Sequence, residues 1–438
     1  MMRKLWMLPL CLLLAMCVAR GEEAAKPAFA IAGTTDKEVA IYLPNETVTF
    51  TLKVLDKGQP VGGHKVKWSW KTDSGEKAEG EGVAPAEGLK VTAKTAKPGF
   101  IHLYAQAFDE NGKKLQGYVG GWGANKHGSI FFEGGACVEP EKLASAEEPT
   151  DFDAFWKGMK EELAKVPMQA DVKELEWKHK NIKLYAVKIP CAGPRPVTGY
   201  LMVPANAKEK SLPAALYFHG YGNSKHNRPD WVDGSKIVFN VNAHGMELEQ
   251  GNEYYANFSK STNGYAFSNE ENADPKKCYF YGMSLRLLRA FEFVKTLKEW
   301  DGKNLGSNGG SQGGLQGLWG AALVPEVTSA EIWSPWCCDL AGITQGRMRG
   351  WRPDFQPALN YYDPVFMAKR IKTAKVNLIA NYGDYTCPPS SVWIVYNNLA
   401  TPNKSMEVRQ GCTHAYMMKN YQKYVLSPSG ISGVEVKK

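Results

Sequence analysis

The chain lacks most of the short patterns that would assign a function at once. It has no Cys-x-x-Cys pair and no His-x-x-x-His pair, so neither common zinc spacing is present and no metal is expected. No block of five or more like charges occurs, although the formal charge is +8. Scattered lysine and arginine describe a solvated surface rather than a nucleic-acid face. The glycine-rich stretch lacks the Gly-x-Gly-x-x-Gly order with an acidic residue after the next strand, so no dinucleotide and no other cofactor is expected. Beyond the N-terminal residues no apolar run is long enough to span a bilayer. Internal repeats and low-complexity tracts are absent as well.

What is present describes a globular protein. Its 438 residues suit two domains, and 44% apolar with 11% aromatic residues can build a real core. Residues 1–21 are expected to be a signal peptide. Arg3 and Lys4 precede an apolar run from Leu5 to Val18, of signal length rather than membrane-span length. The implied location is secreted or periplasmic. Lipidation at Cys17 is the weaker alternative, because Met16 is a poor fit to the small residue such processing needs. Seven cysteines follow the signal: Cys137, Cys191, Cys278, Cys337, Cys338, Cys387 and Cys412. An odd number cannot all pair within one chain. Cys387 and Cys412 could be bridged if their loops are neighbours, and two unpaired thiols is the plainer alternative.

Residues 27–125 are expected to form a β-sandwich of immunoglobulin type. Val48–Val54, Lys65–Trp70 and Ile101–Ala105 alternate with a strand period, and Asp73-Ser74-Gly75 and Asn111-Gly112 are turn signals. The texture then changes, and residues 138–435 are expected to form an α/β-hydrolase domain around a mostly parallel sheet. Phe152, Phe155, Trp156, Met159 and Leu163 repeat at helical spacing, with Thr150 or Asp151 as a cap. Short apolar runs at 184–189, 198–203, 214–218, 236–241, 376–380 and 405–409 read as strands. They are separated by helical stretches such as 283–297, which is the pattern of a sheet covered on both faces.

The sharpest local signal is Gly309-Gly310-Ser311-Gln312-Gly313-Gly314, followed by a helical stretch from Leu315 to Leu323. A serine held on a tight strand-to-helix turn needs glycines beside it for steric reasons. A hydroxyl also needs a base, and on such a sheet the partners follow in the order serine, acid, histidine. His414 is the one histidine after Ser311. Four aspartates lie between them. Asp384 stands at the carboxyl end of the strand 376–380, where ligand-facing residues of an open sheet belong. Asp339 is the main competitor, and Asp354 and Asp363 read as loop or cap positions. An attacked carbonyl needs two donors for its oxyanion, and the backbone N–H groups of Gln312 and Tyr221 are the candidates. Tyr221 lies in the loop His219-Gly220-Tyr221-Gly222; His219 precedes the serine and is taken as structural. Trp336, Pro335 and Trp333 either line an acyl or sugar pocket or pack the core.

Taken together, residues 140–425 resemble the acetyl xylan esterase and cephalosporin C deacetylase family of carbohydrate esterases. The similarity lies in Asp151-Phe152-Asp153-Ala154-Phe155-Trp156, His219–Gly222, Gly309–Gly314 and Gly383-Asp384 with Cys387-Pro388-Pro389-Ser390. It implies removal of acetyl groups from xylan-type oligosaccharides through Ser311, His414 and Asp384, and a ring-shaped homo-oligomer. Two departures stand out. Asn242-Ala243-His244-Gly245 replaces an Arg-Gly-Gln-Gly stretch, and Ala415 stands where the family often has glutamate. The alternatives weighed against this reading are a serine peptidase of related fold and an inactive carbohydrate-binding protein.

Overall fold

The apolar runs above form six strands of the sheet that carries the candidate residues, each within two residues of its expected bounds. The computed structural model describes residues 28–119, 127–418 and 421–437. The expected signal segment lies outside them. Among the described residues this sheet has eleven strands. Six form a parallel centre, in the spatial order Ile237–Asn242, Leu212–Phe218, Trp300–Gly310, Ser329–Trp333, Lys375–Asn381, Lys404–Arg409. Antiparallel strands flank them: Asp171–Leu175, Ile182–Ile189 and Val197–Pro204 on one side, Tyr421–Ser427 and Gly430–Lys437 on the other. The sheet is therefore mixed, not mostly parallel. Within the flanks, consecutive strands are joined directly, and such hairpin connections pair them antiparallel.

Helix Phe152–Ala164 buries Phe152, Trp156, Met159 and Leu163 at the expected spacing. Asp151 is its N-cap residue but makes no capping hydrogen bond. Its carboxylate accepts instead from the Tyr361 hydroxyl at 2.6 Å. The helix Tyr279–Val294 is buried along nearly its whole length. Helix Gln312–Leu323, equally buried, packs on the centre of the sheet.

The N-terminal part holds two further sheets, ordered by hairpins whose turns contain Gly58, Gly75 and Gly112 at positive φ. The strand Phe131–Val138 lies beyond the expected end at 125, yet it pairs antiparallel with Gly99–Phe108 along its full length. This part does not keep a core to itself. Its buried residues and most of those of the large sheet form one continuous apolar cluster, in which the Phe100 ring meets Tyr382 edge-on at 5.2 Å. Polar bonds cross the same seam. Buried Asp73 accepts from the backbone N–H of Met348 and of Phe100, each at 2.9 Å. The Gln410 amide accepts from the Gly135 N–H at 2.9 Å and donates to its carbonyl at 2.7 Å. Among the described residues no helix is long and apolar enough to cross a membrane.

Candidate active site

Ser311 ends the strand Trp300–Gly310 and caps the helix Gln312–Leu323, with φ 56° and ψ −121°. A non-glycine residue at such φ is strained, and surrounding structure must hold it there. The glycines show how. A Cβ on Gly309 would lie 2.4 Å from the carbonyl of Gly313, and one on Gly313 would lie 2.0 Å from the Phe218 oxygen. The turn closes only because both side chains are missing. The Ser311 N–H donates to the Trp333 carbonyl, and its own carbonyl accepts from Trp336, each at 2.9 Å.

Three stretches distant in sequence meet at this edge of the sheet. His414 Nε2 lies 3.0 Å from Ser311 Oγ, and His414 Nδ1 lies 2.8 Å from Asp384 Oδ2. Asp384 is fully buried, and its Oδ1 accepts from the Cys387 N–H at 2.8 Å. The acid and base loops are tied together by the Gly383 N–H on the Cys412 carbonyl, 2.9 Å, and by Asn381 on the Thr413 carbonyl, 3.1 Å. Burial alone would lower the His414 pKa, but the hydrogen bond and charge of Asp384 outweigh it and leave the ring raised above the ordinary histidine value.

The other aspartates are committed elsewhere. Asp339 pairs with Arg347 at 2.6 Å. Asp363 caps the short helix Pro364–Met367 and also accepts from the Asp339 and Leu340 N–H groups. Asp354 is ion-paired with Arg349. His219 accepts from the Ala243 N–H at Nε2 and donates from Nδ1 to the Gly220 carbonyl, so it braces its own loop. Cys387 carries a free thiol, so it forms no bridge to Cys412. Ligating atoms of Asp384, Cys387 and His414 lie within 4.8 Å of one another. The first and last already bond each other, and burial pushes the Cys387 thiol well up, which makes it a poor metal donor.

Among the described residues neither the Tyr221 nor the Gln312 N–H has a hydrogen-bond partner. One residue that the sequence did not single out joins the two loops bearing them. The Tyr265 hydroxyl accepts from the Gly222 N–H at 2.9 Å and donates to Gln312 Oε1 at 2.6 Å, while its ring stacks on Tyr221 at 4.2 Å. Trp336 is fully buried, with its ring beside Tyr221 and its Nε1 on the Trp351 carbonyl. Pro335 is buried too, beneath Gly314. Both positions thus have the packing surroundings weighed for them. The half-exposed aromatics of this region are Trp333 and Trp351, each 44% exposed, and Trp351 stands perpendicular to Tyr221 at 4.7 Å.

A strained serine after the central strand, with a histidine and an acid on the loops after later strands, defines a protein of the α/β-hydrolase fold. The profile of the acetyl xylan esterase (AXE1) family matches residues 141–349 and 353–427, and the chain belongs to that family. The interruption falls on residues 350–352, where Trp351 stands. An acetyl esterase, Axe7A, from Xylanibacter ruminicola is 29% identical over 286 residues, 61% of this chain. The match spans 64% of that esterase's length. An acetyl xylan esterase structure from Paenibacillus sp. R4 superposes with a TM-score of 0.53 at 25% identity, over 64% of this chain and 94% of the other. Acetyl xylan esterase 1 from Thermoanaerobacterium sp. JW/SL YS485 superposes with 0.52 at 24% identity, over 64% and 93%. The N-terminal β-rich part precedes the region matched by the family profile.

Proposed function

We propose that the protein is a secreted serine esterase that removes acetyl groups from carbohydrate, with xylan-type oligosaccharides as its substrate class. The observation that carries this reading is the line from Ser311 Oγ through His414 to buried Asp384, at 3.0 Å and 2.8 Å. His414 takes the Ser311 proton as the hydroxyl attacks the ester carbonyl. Asp384 holds the ring with Nδ1 protonated and stabilises the imidazolium that forms. The N–H groups of Tyr221 and Gln312 receive the oxyanion. His414 then returns the proton to the leaving sugar hydroxyl, and water, activated by the same ring, releases acetate from Ser311. Trp351, beside Tyr221 and half exposed, supplies a flat wall for a sugar ring. In this reading residues 1–21 are the signal, the β-rich part is an immunoglobulin-like sandwich, and residues 138–435 are the esterase domain.

The test is hydrolysis of p-nitrophenyl acetate and acetylated xylo-oligosaccharides, beside cephalosporin C and peptide amides. Release of acetate from the oligosaccharides supports the reading. Turnover of peptide amides alone would replace it with a peptidase.

The raised His414 pKa sets a pH expectation. The ring must be neutral to accept a proton, so kcat/KM falls as pH drops through the His414 pKa, at a midpoint above the ordinary value of about 6.5. Asp384→Asn removes the charge that raises it. A pH–rate profile of this variant should show the midpoint moved down and a rate loss of about 10⁴-fold.

Tyr265 should act as a positioning residue. Tyr265→Phe keeps the stacking on Tyr221 but leaves the Gly222 N–H and Gln312 Oε1 without their shared partner. Loss of one such buried bond is worth about 1–3 kcal/mol. We expect kcat to fall by about tenfold or more with KM little changed. Equal kcat for variant and wild type would show that the hydroxyl only fills space.

A further inference from the structure

A cavity of about 450 Å³ opens between residues 194–195, 261–271 and 276–286, with Tyr265 in its wall, and two arginines line it. Arg286, on the helix Tyr279–Val294, is 2% exposed. Its Nε and Nη2 both donate to the Ala243 carbonyl, at 2.9 Å and 2.8 Å. Its Nη1 has no hydrogen-bond partner among the described residues. The space beside Nη1 is kept by Gly282, where a Cβ would stand 3.1 Å from that nitrogen. Arg195 donates from Nη2 to the Tyr279 hydroxyl at 3.1 Å and lies over the rings of Phe258 and Tyr279.

Among the described residues neither arginine has a carboxylate partner. A buried charge is costly unless an opposite charge meets it, and a carbonyl does not neutralise a guanidinium. Burial pushes the Arg286 pKa down to about 10, with Arg195 nearby adding to the shift, so Arg286 remains cationic at neutral pH. The rim does not supply the missing charge. Lys276 and Lys277 are paired with Glu162 and Asp274, and Glu271, the one carboxylate in the lining, is exposed, acts on Tyr279 through its charge and makes no ion pair with either arginine. Two guanidinium groups on an aromatic-walled cavity match the paired oxygens of a carboxylate or phosphate, which a guanidinium can bind bidentately.

The cavity also communicates with the turn that carries Tyr221. The Tyr279 hydroxyl meets His244 Nδ1 at 2.7 Å, and His244 Nε2 meets the Gly222 carbonyl at 2.8 Å. A carbonyl only accepts, so Nε2 carries the proton and Nδ1 accepts from Tyr279. His244 occupies the Asn242–Gly245 stretch in which this chain departs from its family's usual residues. Arg195, Tyr279, His244 and Gly222 thus form one hydrogen-bonded chain ending at the backbone beside Tyr221.

We propose that this cavity is a binding site for a small anion bearing a carboxylate or phosphate group, and that its occupancy steadies the Tyr221 turn through Tyr279 and His244. Binding does not depend on the esterase reading, so the test reads binding first. The full chain is titrated with sodium phosphate and, separately, sodium glucuronate, against sodium chloride at matched ionic strength. Thermal unfolding and the intrinsic tryptophan fluorescence, to which Trp336 and Trp351 beside Tyr221 contribute, are followed. The expected result is a saturable rise of a few degrees in Tm with at least one anion, lost in Arg195→Gln and weakened in Gly282→Ala. Which anion saturates identifies its source as inorganic phosphate or a sugar acid. Responses no greater than those to chloride, or saturation unchanged in Arg195→Gln, would overturn the proposal. Where esterase activity is found, kcat should rise with the same saturation midpoint, and a flat kcat would remove the link to the turn while leaving the site.

Discussion

Ser311→Ala should abolish acetate release, lowering kcat by about 10⁴- to 10⁶-fold while the protein folds normally. In the proposed mechanism the side chain supplies the bond-forming oxygen, and no neighbouring group can replace it at that position. His414 would keep its bond to Asp384, and the Tyr221 and Gln312 N–H groups would still face the carbonyl, so a small residual rate over water is expected. Ground-state binding relies on other groups, so the dissociation constant for an acetylated oligosaccharide should change little. The substitution also replaces one Cβ-bearing residue by another at φ 56°, so the backbone strain is unchanged. Thermal unfolding should therefore move by no more than a degree or two. Activity equal in variant and wild type would sink the proposal that Ser311 is the nucleophile, because the measured rate would then come from elsewhere.

Gly313→Ala is expected to have the largest effect on folding for its size. One added methyl would stand 2.0 Å from the Phe218 carbonyl oxygen, closer than any real contact allows. The obstacle is backbone of the neighbouring strand Leu212–Phe218, not a side chain able to swing away. Relief requires the helix Gln312–Leu323 to lift from the sheet, and that helix is buried along almost its whole length. Overpacking of this kind costs about 1–3 kcal/mol when neighbours yield and more when they do not. We expect a loss above about 4 kcal/mol or failure to accumulate as folded protein. Any folded fraction should be inactive, since lifting the helix carries Ser311 and the Gln312 N–H out of line. Urea unfolding beside Gly314→Ala makes the comparison. The Gly314 neighbour is Pro335 at 3.0 Å, a contact that a small shift can relieve, and the milder outcome is expected there.

The contrast between these glycines explains what the sequence could and could not convey. The serine turn was legible because its steric demand is met by residues four positions apart. Asp384 and His414 followed from chain order and from the strands before them. The strand that presents the serine was harder to see, because Trp300–Gly310 is rich in glycine and polar residues and owes its form to parallel neighbours on both sides. Phe131–Val138 falls between the expected domains for a similar reason: Gly134 and Gly135 interrupt its apolar alternation, yet pairing with Gly99–Phe108 holds them extended. Tyr265 and Trp351 carried no local signal at all, and His244 stood out only as part of a stretch that departs from the family's usual residues. Their surroundings are made by segments dozens of residues away, and an isolated aromatic or histidine in sequence looks the same whether it braces a loop or fills a core.

The seam between the β-rich part and the large sheet constrains any attempt to build a minimal version of this protein. A fragment starting near residue 138 would bare the Tyr382 face that Phe100 covers, and strip the Gln410 amide and the Met348 N–H of their partners. Tyr382 and Gln410 lie within a few residues of Asp384 and His414, so the wound would open beside the proposed proton-transfer line. A chimera with a different N-terminal part would need to reproduce the contacts of Asp73, Phe100 and Gly135 before it could be expected to remain soluble. The N-terminal part is thus a wall of the proposed catalytic half, and the two should melt as one body.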